Sequence, residues 1–573
     1  MTTLVPKFEQ INSTVNRSMT QKFDDMVSVK DFGAVGDGVA DDTAAITAAL
    51  TAGGHVVFPT GTYKVTTVLI QNVNNLTINA TSAVFNSVYG NVFAFKQCSD
   101  FSWTGGVINA GPIVNPAYTT TPESLGQNFL VYNANRAIIS NLTVINNSSN
   151  KAPCVTVWNM GQTQVNNNQL YYGGDNTIWA FNSFHVTASN NLILNSTGGR
   201  GICFQQVHRG AMTGNVVAEG KGDGLNVHGS DNVVITGNSV YNMVADTGGI
   251  GLSSGVGIEW DENATPTTVA AAVADTQLYN GVFSRNITVS GNTFSKVGFG
   301  VRVGNNIGIT GSNYGNQGQV VIDGNNIFGV NTGITTGTSR QIRISNNMIS
   351  TCNLDCIEIS MTADTGGYTA QNIYIADNRF SQFNISNLGY QCIQFTSGTP
   401  TASQNIVITD NQWDYPTNGA TFTNIPLATY GINGRNNSYG NGTILSTQVG
   451  PFEYQTPFGD QTASNVLTNY FNTGTSTEFT MSGQVLDSFV TVFTMPANSS
   501  VAAQIQIGSN DRLITFGTIY AANGNTPTLT FTGTGGTNVQ LSGSNIQIRG
   551  STTGGTVLYG GVYTIKFTVL KPI

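Results

Sequence analysis

The sequence predicts an all-β chain built around a parallel β-helix. Three observations predict it: a composition poor in charge and rich in turn formers, an asparagine that recurs at a nearly constant interval, and an apolar pair held at a constant offset from that asparagine. Of 573 residues only 9% are charged, while 67 are glycine. Charge-rich amphipathic helices have little material here, and strands joined by turns are the expected alternative. Hydrophobic residues reach 39%, enough to fill a long core.

The asparagine closes a phrase of the form apolar-x-apolar-x-x-Asn. It is clearest in Asn-Val-Val-Ile-Thr-Gly-Asn ending at Asn238, Asn-Ile-Thr-Val-Ser-Gly-Asn ending at Asn292 and Gln-Ile-Arg-Ile-Ser-Asn-Asn ending at Asn347. Others end at Asn378 and Asn411, with looser versions at Asn147, Asn168, Asn191, Asn215 and Asn325. Successive spacings are 21, 23, 24, 23, 54, 33, 22, 31 and 33, so the unit is 22 to 24 residues, lengthened in places. Between the asparagines lies a second phrase, apolar-x-apolar, as in Val155-Thr156-Val157, Ile202-Cys203-Phe204 and Ile357-Glu358-Ile359. Its first residue precedes the next asparagine by 13 at Val155, Ile178, Ile202, Leu225 and Ile334. A fixed offset means that every unit repeats the same strands and turns, as stacked coils do. The asparagines are expected at one turn, in left-handed backbone, with their amides stacked from coil to coil.

Around the coils three further segments are expected. Residues 1–27 form a leader in which Phe8, Ile11, Val15, Met19 and Phe23 keep helical steps, a seam between chains that is too short to stand alone. Residues 28–449 form the β-helix, and a helix near 41–52 with acids in its first turn caps the open first coil. Residues 450–573 lack the asparagine marks. Alternating stretches at Val485–Phe493 and Tyr563–Val569 read there as a β-sandwich for trimerisation or carbohydrate binding.

Charge and cysteine bound the partners. A net charge of −8 argues against nucleic acid, which needs a concentrated positive field. No run of 18 apolar residues offers a membrane span, and the first residues lack the regions of a signal peptide. Release by cell lysis, as part of a virion, fits such a start. Cys352 and Cys356 have a loose metal-ligand spacing, yet no histidine follows His228, so packed thiols are expected and neither metal nor cofactor.

The stretch Val29-Lys30-Asp31-Phe32-Gly33-Ala34-Val35-Gly36-Asp37-Gly38, followed by Asp41-Asp42-Thr43-Ala44-Ala45-Ile46 and by Gly53-Gly54-His55-Val56-Val57-Phe58-Pro59-Thr60-Gly61-Thr62-Tyr63, resembles the opening of the pectate-lyase-like superfamily. The resemblance implies a right-handed parallel β-helix. The start without a signal peptide and the β-rich C-terminal region resemble the tailspike depolymerases of bacteriophages. That implies a homotrimer in the virion, joined through its N-terminus to the phage tail, baseplate or an adaptor protein. It would act outside the cell on a bacterial surface polysaccharide. The catalytic motifs of pectate lyases and polygalacturonases are not evident, so no catalytic residue transfers from them. The Ile258-Glu259-Trp260 rung loosely resembles one of some capsule-degrading tailspikes.

In apolar-x-apolar the middle side chain faces outward, and coils in register stack these residues about 4.8 Å apart. One expected column is Thr156, Trp179, Cys203, Asn226, Glu259, Arg302, Thr335, Glu358 and Gln394. A second, two residues on, is Trp158, Phe181, Gln205, His228, Asp261, Gly304, Gly337, Ser360 and Thr396. Glu259 and Asp261 would then stand roughly 6.5–7 Å apart, the spacing of an inverting glycosidase. Arg302 would lower the pKa of Glu259, His228 would orient Asp261 or transfer protons, and Asp223 is a further candidate acid. Trp158, Trp179, Phe181, Gln205, Asn226, Trp260 and Glu358 are candidate substrate contacts, the exposed aromatics suiting both sugar faces and subunit interfaces. The long segment after Ile258, including 261–281, is expected to form a binding wall or a trimer contact. Three functions remain open: endo-glycosidic hydrolysis, β-elimination at a uronate, and binding without cleavage.

Overall fold

In a computed structural model the described residues are 25–112, 114–117, 122–147, 151–245, 253–259, 284–304, 318–337, 340–360, 370–396, 406–414, 432–435 and 437–439, with further short strands before residue 25 and after residue 476. The chain forms two compact units, Met1–Ala370 with Phe383–Thr399, and Gln371–Gln382 with Pro400–Ile573.

Each coil of the first unit contributes three strands. In one coil they are Val155–Trp158, Gln162–Asn166 and Gln169–Tyr171. The next coil lies parallel on it, with Val155 beside Ile178, Thr163 beside Val186 and Gln169 beside Leu192. Alternation sends Val155, Val157, Val165 and Leu170 into the core, all fully buried. The early coils fill that core with rings, Phe85, Phe93, Trp103 and Phe129 meeting at centroid distances of 4.9 to 5.9 Å. Later coils fill it with Val and Ile.

The asparagines form the ladder that their spacing predicts. From Asn168 through Asn191, Asn215, Asn238, Asn292 and Asn325 to Asn347, each Nδ2 donates to the next Oδ1 at 2.9 Å, and each backbone N–H donates to the same oxygen. Asn378, Asn411 and Asn437 make the same bonds in the second unit. Two expectations are corrected. Asn147 is no rung: the place before Asn168 belongs to Leu142, whose N–H donates to Asn168 Oδ1. Nor do the ladder asparagines adopt left-handed backbone. The residue before each one does: Asn167, Asn190, Gly214, Gly237, Gly291, Gly324 and Asn346 have φ between 54° and 65°. That turn aims the following asparagine inward.

The cap helix spans Thr43–Ala52 and buries Ile46, Ala49 and Leu50. The two acids precede it rather than occupying its first turn. Asp42 accepts from the N–H groups of Val35 and Gly36 at 2.6 and 3.2 Å, tying the glycine-rich opening to the helix start. Where a helical leader is expected, the described residues are two short antiparallel strands, Lys7–Phe8 and Arg17–Ser18. Ile11, Val15, Met19 and Phe23 of the expected seam lie outside the described residues. No helix among the described residues is long and apolar enough to cross a membrane. All six cysteines are buried and none is in a disulfide.

In the second unit, strands between Thr477 and Leu570 pair antiparallel in a five-stranded and a three-stranded sheet. Tyr563–Leu570 is one of the expected strands, and Val490–Thr494 covers part of the other. Residues 484–489 lie outside the described residues.

Asn238→Ala removes the acceptor of two buried donors of Asn215 and its own bond to Met212. A loss of about 2–4 kcal/mol in urea unfolding is expected, larger than for an exposed turn asparagine such as Asn286.

Candidate functional site

The strand register decides which side chains meet. Asn226 stands beside Gly257, and Gly257 beside Arg302. Glu259 therefore does not occupy the rung between Asn226 and Arg302, as the apolar-x-apolar phrase places it. It lies two residues on, beside His228. The physical reason is that Val256-Gly257-Ile258 fits the phrase as well as Ile258-Glu259-Trp260 does, and the core takes Val256 and Ile258. One column thus runs through Thr156, Trp179, Cys203, Asn226, Gly257, Arg302, Thr335, Glu358 and Gln394. The other runs through Trp158, Phe181, Gln205, His228 and Glu259. Trp260 and Asp261 lie outside the described residues, as does the long segment that follows them.

The slip still brings the charged groups together. Arg302 Nη2 donates to Glu259 Oε1 at 2.6 Å and to Asp223 Oδ2 at 2.8 Å. Asn226 Nδ2 donates to the same two carboxyls, each at 3.1 Å, while Cys203 Sγ donates to its Oδ1 and so aims the amide. Arg302 Nε is held by Ser254 Oγ at 3.1 Å. Arg200, which the motifs did not single out, donates from Nη2 to Glu259 Oε2 at 3.0 Å. Its signal was available: Arg200 stands in register with Asp223, three residues before the outward Cys203. Asp223 has the parity of core residues, but it opens its strand just after Gly222, whose φ of 72° lets the chain turn.

Gly257 leaves the space in which this cluster closes. A Cβ there would stand 2.4 Å from Asp223 Oδ2 and 2.9 Å from Arg302 Nη2. The cluster is almost dry, with Asp223 and Arg302 at 0% and 1% exposure and Glu259 at 4%. Burial alone would push up the Glu259 pKa. The guanidiniums of Arg302 and Arg200, with His228 nearby, more than reverse this and hold it well below the usual carboxylate range. Asp223 goes the other way: burial raises it, Arg302 offsets part of that, and the charge of Glu259 adds to it. Two carboxyls joined by shared donors are thus pushed in opposite directions, the pattern of an acid and a base.

On the same outer face, toward the cap, lies an aromatic cluster. Trp158 and Phe181 have centroids 4.4 Å apart, and Trp179 meets both at 5.2 and 5.7 Å. Trp179 Nε1 donates to Gln205 Oε1 at 3.1 Å. The column continues through Tyr132 to Lys96, which sits over the Tyr132 ring, and the Tyr132 hydroxyl donates to buried Glu123. Tyr132 escaped the sequence reading because Phe129-Leu130-Val131-Tyr132 is apolar throughout.

Glu358 lies two rungs beyond Arg302 and does not join the cluster. It makes a second carboxyl neighbourhood with Asp355, which is 1% exposed and pushed up to about 7 by burial and by the charge of Glu358, against a hydrogen bond from Thr332. Among the described residues no three His, Cys, Asp or Glu side chains are arranged to hold a metal ion.

Residues 26–268 match the family model described as rhamnogalacturonase A/epimerase, pectate lyase-like. The plasmin and fibronectin-binding protein A of Streptococcus pneumoniae is 30% identical over 158 residues, 22% of each chain. Mannuronan C5-epimerase AlgE1 of Azotobacter vinelandii is 36% identical over 118 residues, 20% of this chain and 8% of that one. The chain thus spans about a fifth or less of the length of these relatives. Among solved structures, the tailspike protein of E. coli bacteriophage HK620 matches with a TM-score of 0.50 at 10% identity, covering 99% of this chain and 97% of that one.

Two outcomes follow from the geometry. Gly257→Ala forces the Asp223–Arg302 contact apart and is expected to cost about 1–3 kcal/mol in denaturant unfolding. Because the folded state raises Asp355 above its unfolded value of 3.8, it binds a proton more tightly than the unfolded chain between about pH 4 and 7, and stability falls as pH rises through that window. Asp355→Asn removes this loss, so its Tm relative to the parent protein is expected to rise between pH 5 and pH 8. The parallel coils, the cap and the opening motif together give this chain a parallel β-helix, matched by the pectate lyase-like family model over residues 26–268 and similar in fold to the HK620 tailspike.

Proposed function

We propose that this chain is a phage tailspike subunit that binds a bacterial surface polysaccharide along the outer face of its first strands and cuts it by endo-glycosidic hydrolysis. The observation that carries the reading is the Asp223–Glu259 pair, two carboxyls of opposed proton affinity that meet at Arg302, Glu259 standing in the column that also presents Trp158 and Phe181. Sharing one guanidinium nitrogen keeps them at short range, closer to the roughly 5–5.5 Å of retaining glycosidases than to the wider spacing of inverting ones. In this mechanism the protonated Asp223 donates to the leaving glycosidic oxygen. Glu259, held ionised by Arg302 and Arg200, bonds to the anomeric carbon. Asp223, now a carboxylate, then takes a proton from the water that releases the sugar from Glu259. The aromatic rings supply sugar-stacking faces along the column. Tail attachment through the leader and trimeric assembly belong to the same proposal and draw on the tailspike fold.

A second reading, β-elimination at a uronate, draws on Arg200 and His228. The Arg200 side chain keeps 18% exposure, the most of the cluster, and His228 stands beside Glu259. The reactions differ in product: hydrolysis leaves saturated ends, whereas elimination leaves an absorbing unsaturated uronate. Digestion of a panel of capsular polysaccharides, with product mass and ultraviolet absorbance recorded, is expected to give saturated oligosaccharides. Glu259→Gln is expected to keep polymer binding and lose about 10²–10⁴-fold in cleavage rate. Full activity in that variant would remove Glu259 from the chemistry, and retained, uncut polymer with the parent protein would make the chain a binding protein.

A further inference from the structure

The outward columns of the first strands do not stay open along their whole length. On one rung Leu130 and Tyr132 face outward, since Phe129 and Val131 take the core. Yet both are 1% exposed, and Ala94 on the rung before is 6% exposed. Leu69 and Trp158 pack against this buried patch. One rung further Trp158 is half-buried, as are Trp179 and Phe181 on the rung after that.

The cover belongs to the connection between the strands Val107–Asn109 and Phe129–Tyr132. Its described residues, 114–117 and 122–128, are tied down in three places. Asn115 donates through its N–H to Asn91 Oδ1 at 2.8 Å and through Nδ2 to Thr67 Oγ1 at 3.0 Å. Asn128 Nδ2 donates to Gly90 O at 2.7 Å. The third tie is the bond from the Tyr132 hydroxyl to Glu123, which opens the short helix Glu123–Leu125 and is itself 8% exposed. A buried carboxyl is costly without such a donor, so the bond holds the cover to the face. Gly126, with a φ of 75°, then folds the chain back so closely that a Cβ there would stand 2.5 Å from Val114 Cγ2.

Tyr132 continues the column of Trp158 and Phe181, so uncovered it would be the next flat face for a sugar. We propose that residues 114–117 and 122–128 form an end wall that stops the sugar-binding column at Trp158, with the Tyr132–Glu123 bond as its latch. In a chain that binds polymer along this face, on which the proposal rests, the bound polysaccharide either ends or leaves the face there. From Trp158 four register steps lead through Phe181, Gln205 and His228 to Glu259, about 19 Å. One pyranose advances an extended polysaccharide by about one such step, so the face between end wall and charged cluster holds about four sugars. Glu123 and Tyr132 thereby set how many sugars on that side of the cluster contribute to binding.

The first measurement needs no sugar. Tetranitromethane nitrates accessible tyrosines, and Tyr172, 39% exposed, is the internal standard. In the parent protein Tyr132 is expected to react at least tenfold more slowly than Tyr172, and in Glu123→Ala to approach its rate. Tyr132 reacting like Tyr172 in the parent protein overturns the end wall, whatever the chain binds, and unchanged protection in Glu123→Ala overturns the latch. The second measurement uses the Glu259→Gln protein and sized acid-hydrolysis fragments of the panel polysaccharide that the parent protein holds. Trp158→Ala is expected to weaken binding of long fragments about tenfold. Breaking the latch, by Glu123→Ala or by Tyr132→Phe, is expected to strengthen binding of the longest fragments by about threefold or more and to leave short ones unchanged. The same length dependence with the latch broken overturns the proposal and leaves the proposed cleavage standing. A parent protein that holds no polysaccharide of the panel, or binding that Trp158→Ala does not move, overturns both.

Discussion

Everything in the first unit depends on one constraint: a coil can add to the stack only if its strands hydrogen-bond in register to the coil before. Strand separation then fixes how far apart equivalent residues lie, and residues distant in the chain become neighbours on an outer wall. The asparagine ladder enforces this from inside the turn. Each rung binds the backbone as well as the side chain of the rung before it, so a slip of one residue would orphan buried donors on two coils. Loops can lengthen between rungs without disturbing them, as the 54-residue step from Asn238 to Asn292 shows.

The charged cluster sits where regular coils give way to longer connections. Arg200, Asp223 and Asn226 lie in ladder steps of 24 and 23 residues, Glu259 and Arg302 in steps of 54 and 33, and their burial would be costly if any were left unmatched. Arg302 and Arg200 face Asp223 and Glu259, and Asn226 bridges both carboxyls with one amide, while Asp223 Oδ1 and Arg200 Nε are left without a hydrogen bond. Two guanidiniums and two carboxyls held dry in one place make proton affinity a property of position. The cluster therefore separates an acid from a base without needing two chemically different residue types.

The stack itself was legible because its signals are local. An asparagine every 22 to 24 residues and an apolar pair at a fixed offset need no knowledge of distant contacts. The cap could be read for the same reason, from Asp42 and the glycines before it. The site was legible only to the level of its face. Val256-Gly257-Ile258 and Ile258-Glu259-Trp260 obey the same alternation, and only packing against the neighbouring coils chooses between them. A shift of two residues preserves inside and outside, so Glu259 remained on the outer wall but moved to the column beside the one that Arg302 keeps. Arg200 was passed over because it precedes the phrase rather than occupying it, although its place three residues before Cys203 could be read.

The ladder has one more property, which comes from its direction. From Asn168 to Asn347 every side-chain oxygen accepts from the amide of the coil before, and every amide nitrogen donates to the amide of the coil after while its second N–H returns to a backbone carbonyl of the coil before. Peptide-like dipoles aligned head to tail add, and each polarises the next. The column is therefore a polar wire inside an otherwise apolar interior, with its positive pole at the end reached last. Unlike the axis of an α-helix, it is made of side chains, so a single substitution can interrupt it while the surrounding strands keep their course.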